Sequence, residues 1–168
     1  PIETDDEWPD FEVGLAGSVF DALKAPPTIP LASVNAKTLD VVAAELDEAT
    51  YTRFMFPGPR AGLTFTSVAD VPSAKRRTLT PGGAPNRRAL STLDLPAVLG
   101  TSAERRGLFA FAVRGPAERG GMSDRVHTVN VTDLGITAKM SHFGSLVWVT
   151  SLANGKPQTG VTVSIRRR

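Results

Sequence analysis

Along much of this chain apolar and polar positions alternate with a period of two. A half-buried β-strand needs this spacing, because its successive side chains leave opposite faces of the sheet. The last third shows it best. Asn130-Val131-Thr132-Asp133-Leu134-Gly135-Ile136-Thr137-Ala138-Lys139 and Leu146-Val147-Trp148-Val149-Thr150-Ser151-Leu152 are rich in Thr, Val and Ile and predict two strands. His142-Phe143-Gly144 is short enough to reverse the chain between them. After a turn at Asn154-Gly155-Lys156-Pro157, the run Val161-Thr162-Val163-Ser164-Ile165 alternates again and predicts the start of a third strand, so the sheet reads as incomplete.

Upstream, Phe11, Val13 and Leu15 predict a first strand ending near Gly17. Ala25-Pro26-Pro27-Thr28-Ile29-Pro30 reads as an extended connection, neither helix nor central strand, since each Pro lacks a donor and restrains its predecessor. Between Ala36 and Leu46 two periods compete. Leu39, Val42, Ala43 and Leu46 fit a helix, whereas Leu39, Val41 and Ala43 fit a strand. The stretch from Pro57 to Pro85 is rich in Gly, Pro, Ser and Arg, with one predicted strand at Arg76 to Thr80 and a turn at Pro81-Gly82-Gly83. Asp94-Leu95-Pro96 predicts a single helical turn, with Asp94 as cap and Pro96 where a missing amide hydrogen matters least. Leu108 to Val113 is apolar throughout and predicts a central strand buried on both faces, and Arg125 to Val131 alternates and completes a first sandwich. A domain boundary is expected at Thr132 to Gly135. The expected inventory is an all-β chain of at least ten strands with one or two short helices.

A length of 168 residues holds one ordinary domain, or one domain and part of another; the strand pattern favours the second. No apolar run approaches the roughly 20 residues of a membrane-spanning helix. Pro1 is not Met and no signal-peptide pattern follows it, so a natural start is expected to lie upstream or to have been engineered away. The net charge of +2 hides an asymmetry: residues 1–48 carry eleven acids and two bases, and the remainder six acids and seventeen bases. The basic residues fall in scattered groups, Arg76-Arg77, Arg87-Arg88, Arg105-Arg106 and Arg166-Arg167-Arg168. With few aromatics between them for base stacking, no nucleic-acid partner is expected.

The chain has no Cys and only two histidines, which leaves no thiol nucleophile, no disulfide and no Cys-based zinc site. In a strand, Asp124 and His127 fall on opposite faces, and His142 lies in a turn, so no catalytic, metal or cofactor site is expected. Glu3, Asp5, Asp6, Glu7 and Asp10 offer oxygen ligands without the Gly and distal Glu of a calcium loop, and read as a solvated lead. Gly144-Ser145 through Gly155-Lys156-Pro157 lacks the Ser or Thr that a phosphate loop requires. Asn130-Val131-Thr132 fits a glycosylation acceptor, and Lys75-Arg76-Arg77-Thr78 could form a basic tag for a modifying enzyme, although plain loop charge is the favoured reading. Trp148 reads as a core or interdomain anchor, while Trp8, beside Pro9, is the better candidate for an exposed aromatic contact.

The run from Val131-Thr132-Asp133-Leu134-Gly135 through Val147-Trp148-Val149-Thr150-Ser151-Leu152 to Gly155-Lys156-Pro157 and Gly160-Val161-Thr162-Val163 resembles the macroglobulin domains of bacterial alpha-2-macroglobulins. Ser33-Val34-Asn35 before Leu39-Asp40-Val41, and Gly107-Leu108-Phe109, are similar to the preceding domain of such an array. The resemblance implies antiparallel, fibronectin type III-like β-sandwiches of seven strands. Residues 1–10 would be a linker or edge segment, 11–133 a macroglobulin-type domain, and 134–168 the first strands of the next. It also favours a strand over Thr38 to Leu46, followed by a short helix that Asp47 caps. The implied function is scaffolding within a broad-spectrum protease trap, with no enzymatic activity. Neighbouring macroglobulin domains, target proteases and a peptidoglycan-synthesising penicillin-binding protein are the implied partners. The implied location is the periplasm, anchored to the inner membrane by a lipidated Cys upstream. The family's thioester motif has no counterpart in this Cys-free chain, and no bait segment is identified. The alternative is a carbohydrate-binding or adhesin-type β-sandwich of the cell envelope, for which Trp8, Trp148 and Tyr51 supply few aromatic platforms besides phenylalanines.

Overall fold

The computed structural model describes residues 7–15, 17–24, 28–56, 63–100, 106–117 and 120–165. Glu3, Asp5 and Asp6 of the acidic lead, Ala25 to Pro27, Pro57 to Gly62, Arg105 and the three terminal arginines lie outside them. Ten strands and three short helices form within the described residues, in the order β1 (Asp10–Val13), β2 (Val19–Asp21), β3 (Thr28–Val34), β4 (Leu39–Leu46), α1 (Glu48–Met55), α2 (Phe65–Ala69), β5 (Lys75–Leu79), β6 (Ala89–Asp94), α3 (Leu95–Leu99), β7 (Gly107–Pro116), β8 (Met122–Thr132), β9 (Leu134–Ser141) and β10 (Gly144–Ser151). The chain is all-β, as its alternation predicts.

Two sheets form the body: β1-β3-β6, and β2-β8-β7-β4-β5. Their eight strands are antiparallel except for the short β2–β8 pair, which is parallel. The larger sheet is covered on both faces. Leu39, Val41 and Ala43 of β4, with Phe109, Phe111 and Val113 of β7, meet Phe11, Ile29, Leu31 and Leu93 of the smaller sheet and Leu95 and Val98 of α3. The alternate residues Val42, Ala44, Ala110 and Ala112 meet Phe54 of α1 and Phe65 and Val68 of α2. Alanines at three of these four positions leave room for helices to lie close on the sheet. Double coverage settles the ambiguous Leu39–Leu46 run as a strand, and it explains why Leu108 to Val113 is continuously apolar. Each fully buried Leu, Val or Phe here contributes about 1.5–3 kcal/mol.

Several boundaries and elements differ from expectation. β1 ends at Val13, well before Gly17. The Pro-rich connection ends in β3, the central strand of the small sheet, with Pro30 inside it. Pro30 is tolerated because its polar edge faces the β1 side, where its carbonyl accepts from Gly14 N–H at 2.8 Å. In an antiparallel strand its nitrogen points the same way, past the last β1–β3 pair, Val13 with Leu31, so the missing donor interrupts no bond to β6. Helix α2 arises within the Gly-, Pro-, Ser- and Arg-rich stretch, and strand β6 where no element is predicted. The helices therefore number three, and α2 starts on a capping box in which Thr64 and Ser67 exchange side-chain and backbone bonds. Val161 to Ile165 forms no ladder among the described residues. Lys156 to Gln158 takes the edge of β10 through Ser151 N–H to Lys156 O and Gln158 N–H to Val149 O, and Gly160, at φ 72°, follows.

The expected caps form. Asp47 accepts from Thr50 N–H at 2.7 Å, which holds its carboxyl below the usual range, and Asp94 accepts from Ala97 N–H at 3.2 Å.

Candidate functional site

Where β3 turns into β4, Asn35 adopts a left-handed conformation with φ 50°; Asn86, between β5 and β6, does so with φ 57°. Such backbone is unusual for a residue with a Cβ, though Asn tolerates it best. The two side chains interlock. Asn35 Nδ2 donates to Asn86 Oδ1 at 2.8 Å and to Glu7 O at 2.6 Å, while Asn86 N–H donates to Asn35 Oδ1 at 2.9 Å and Glu7 N–H donates to Asn86 Oδ1 at 3.0 Å. Three segments distant in sequence are thus clamped together. The clamp borders a cleft of about 400 Å³ lined by Glu7, Trp8, Pro9, Asn35, Pro85 and Asn86, over which Trp8 stays 60% exposed. Trp8 is the exposed aromatic that the sequence singles out. The asparagines were not legible, because nothing local marks two residues 51 apart as partners.

On the opposite face of the large sheet, Arg114 Nε and Nη2 donate to the two oxygens of Asp124 at 2.7 and 3.0 Å. Asp124 also accepts from Phe65 N–H, the first residue of α2, at 2.8 Å, and the Arg114 guanidinium lies 4.6 Å above the Phe65 ring. The Arg114 hydrogen bonds foremost, and the Phe65 N–H with them, hold the Asp124 carboxyl below its usual range, against the opposing effect of burial. This group fastens α2 to the sheet. Arg114 and Phe65 also line a cleft of about 400 Å³ with Asp40, Val41, Arg76, Arg77 and Thr78.

The remaining predicted candidates do not converge. His127 stacks on Phe111 at 5.2 Å, on the other face of β8 from Asp124, and its buried Nε2 has no hydrogen-bond partner. Burial, helped by Arg125, pushes its pKa down. His142 and Phe143 form the exposed tip of the β9–β10 hairpin. No three His, Asp or Glu side chains gather around a possible metal position among the described residues. Asn130 lies inside β8 and donates its N–H to Ser18 O, so the glycosylation pattern sits within a paired strand. Gly155-Lys156-Pro157 is a turn beside β10. Trp148 is 55% exposed and therefore no core residue of this chain. Tyr51 packs partly against the helix-side core. Lys75, Arg76, Arg77 and Thr78 are exposed on β5, with Arg76 5.9 Å from the Phe65 ring and Thr78 donating to Asp40 Oδ1.

The β9–β10 hairpin follows β8 after one residue, Asp133. Its register puts Ile136 opposite Val149 and Ala138 opposite Val147 on one face, and Trp148 opposite Thr137 on the other. Ile136, Met140, Leu146 and Trp148 are exposed. No helix of the described residues is long and apolar enough to cross a membrane.

No protein-family model matches the chain, and no curated protein does. Solved structures do. A crystal structure of native alpha-2-macroglobulin from Escherichia coli spanning domains MG0-NIE-MG1 matches 94% of this chain with a TM-score of 0.59 and 22% identity. One spanning NIE-MG1 matches 92% of it with a TM-score of 0.57 and 17% identity. The chain shares the fold of these alpha-2-macroglobulin fragments. It spans 50% of the length of the first and 75% of the second.

Proposed function

We propose that this chain is scaffold from a bacterial alpha-2-macroglobulin-like, broad-spectrum protease inhibitor. Residues 11–133 form one macroglobulin-type domain, and residues 134–168 open the next. The observation that carries the reading is the match of nearly the whole chain, sandwich and following hairpin together, to the two alpha-2-macroglobulin fragments. The absence of any Cys supports a mechanical role, since covalent capture by a thioester needs one. In this role the sandwich transmits or resists the shape change that follows bait cleavage, and the larger protein provides bait and capture. The rest of the reading is a periplasmic protein held at the inner membrane by an upstream lipidated Cys, working beside a peptidoglycan-synthesising penicillin-binding protein.

The test is trapping. Incubated with trypsin or elastase, the chain alone should give no adduct that survives boiling on a denaturing gel. Expressed with its flanking coding sequence, it should protect a large protein substrate while the bound protease still cleaves a small chromogenic peptide. A boil-stable adduct with the chain alone, or no protection by the longer polypeptide, would refute the scaffold reading.

Exposed Trp8 over its clamped cleft favours a second reading, a carbohydrate-binding or adhesin-type module. Quenching of Trp8 fluorescence by soluble glycan fragments, in a Trp148→Phe background, would support it.

A further inference from the structure

Strand β5 ends the order of the large sheet, and among the described residues only β4 pairs with it. Its outer edge therefore presents backbone donors and acceptors that can template another strand. Lys75, Arg76, Arg77 and Thr78 are all exposed. The register sets Lys75 opposite Ala43 and Arg77 opposite Val41, on the side of the smaller sheet, and Arg76 opposite Val42, on the helix side. A strand added here would meet cations on both of its faces at three successive positions. We propose that the β5 edge binds an extended acidic segment of another polypeptide, which adds a sixth strand with three consecutive carboxylates opposite Lys75, Arg76 and Arg77.

Main-chain bonds would supply strand pairing and the cations its selectivity. A second β5 is disfavoured, because like charges would lie opposite one another. The same side chains that prevent edge-to-edge pairing of two copies thus select an acidic strand. Glu7 of the chain's own acidic lead is held elsewhere, since its N–H donates to Asn86 Oδ1 and its carbonyl accepts from Asn35 Nδ2. This inference is independent of the scaffold reading, as it needs only the edge and its charges.

Fluorescence anisotropy with a labelled peptide TVEEEVT tests it, alongside TVKKKVT and a TVEEEVT peptide N-methylated at alternate backbone amides. The acidic peptide should bind saturably in low salt, the lysine peptide should not, and N-methylation should abolish binding while leaving the charge intact. Arg77→Glu should weaken binding by about tenfold or more, with an unchanged thermal melt; should it fail to fold, Arg77→Ser should weaken binding in the same direction. Absence of binding by the acidic peptide would overturn the proposal, as would equal binding of the lysine peptide. Equal binding of the N-methylated peptide would mean charge attraction without strand pairing, and would overturn it too. So would self-association of the chain, seen by sedimentation and lost in Arg77→Glu, since it would make a second copy the occupant.

Discussion

Replacing Asn35 separates the two physical effects that coexist in the clamp. Its side chain makes three hydrogen bonds, to Glu7 O, Asn86 Oδ1 and Asn86 N–H, and its backbone stands at φ 50°. Hydrogen bonds in exposed surroundings contribute near the low end of their range, about 0.5 kcal/mol each, so their joint loss costs about 1.5 kcal/mol. Alanine in the left-handed region costs a further ~1 kcal/mol that glycine does not. Asn35→Gly should therefore destabilise by about 1.5 kcal/mol and Asn35→Ala by about 2.5 kcal/mol. In urea unfolding with a slope of about 2 kcal/mol/M, the midpoints fall by roughly 0.7 M and 1.2 M. A second readout is Trp8, next to Glu7: in a Trp148→Phe background its fluorescence anisotropy should drop in both variants as the lead loosens. If Asn35→Gly matches the parent, the hydrogen bonds contribute nothing and the clamp is incidental. If Asn35→Ala is no worse than Asn35→Gly, the backbone argument fails.

Gly115→Ala should lower stability by about 1–3 kcal/mol, because its Cβ would stand 2.5 Å from Leu39 Cδ2 and 2.7 Å from Phe11 Cδ1, both core side chains. Gly144→Ala, with open space around the new methyl, should leave the thermal melt within about 0.5 kcal/mol of the parent. Burial lowers the His127 pKa in the folded state, so the unfolded chain takes up the proton first and stability falls as pH drops below the usual 6.5. His127→Leu should shrink the stability difference between pH 7.5 and 5.5, and an unchanged difference would exclude His127 as its source. Deleting residues 135–168 should leave a cooperative thermal melt, since neither core cluster draws a buried residue from beyond Val131; a lost transition would refute the proposed boundary.

Where side-chain period or cap chemistry is local, the sequence was informative. The two-residue hairpin loop, the Asp47 and Asp94 caps and the apolar β7 strand all follow from neighbours within a few positions. It was misleading where a distant partner decides. Pro30 argues against a central strand until the register shows its donor-less nitrogen pointing past the end of β1, where no ladder bond is lost. Helix α2 hides in a Gly- and Pro-rich stretch, because Ser67 stands where a capping box more often has Glu or Gln, and Asp124 completes the helix start from 59 residues away. The clamp was illegible for the same reason. The hairpin face was legible only in part: period two puts Ile136 and Trp148 on different faces when the register pairs Ile136 with Val149, and only the register shows it.

The passage from sandwich to hairpin rests on the main chain more than on charge. Arg106 and Asp133 form an ion pair at 3.0 Å, but both side chains are substantially exposed, and such a pair contributes about 0–1 kcal/mol. Backbone bonds hold the same point from both sides. Ala22 N–H, just past β2, donates to Thr132 O, and Leu152 N–H, just past β10, donates to Asp133 O. Thr132 Oγ1 in turn accepts from Leu134 N–H. A joint one residue long, gripped by the end of β2 on one side and the end of the hairpin on the other, has few soft dihedrals left. Screening by salt would weaken the ion pair and leave these bonds intact. In the scaffold reading, displacement of the hairpin is then passed along β8 into a sheet packed on both faces, which yields little because its neighbours fill the space on either side.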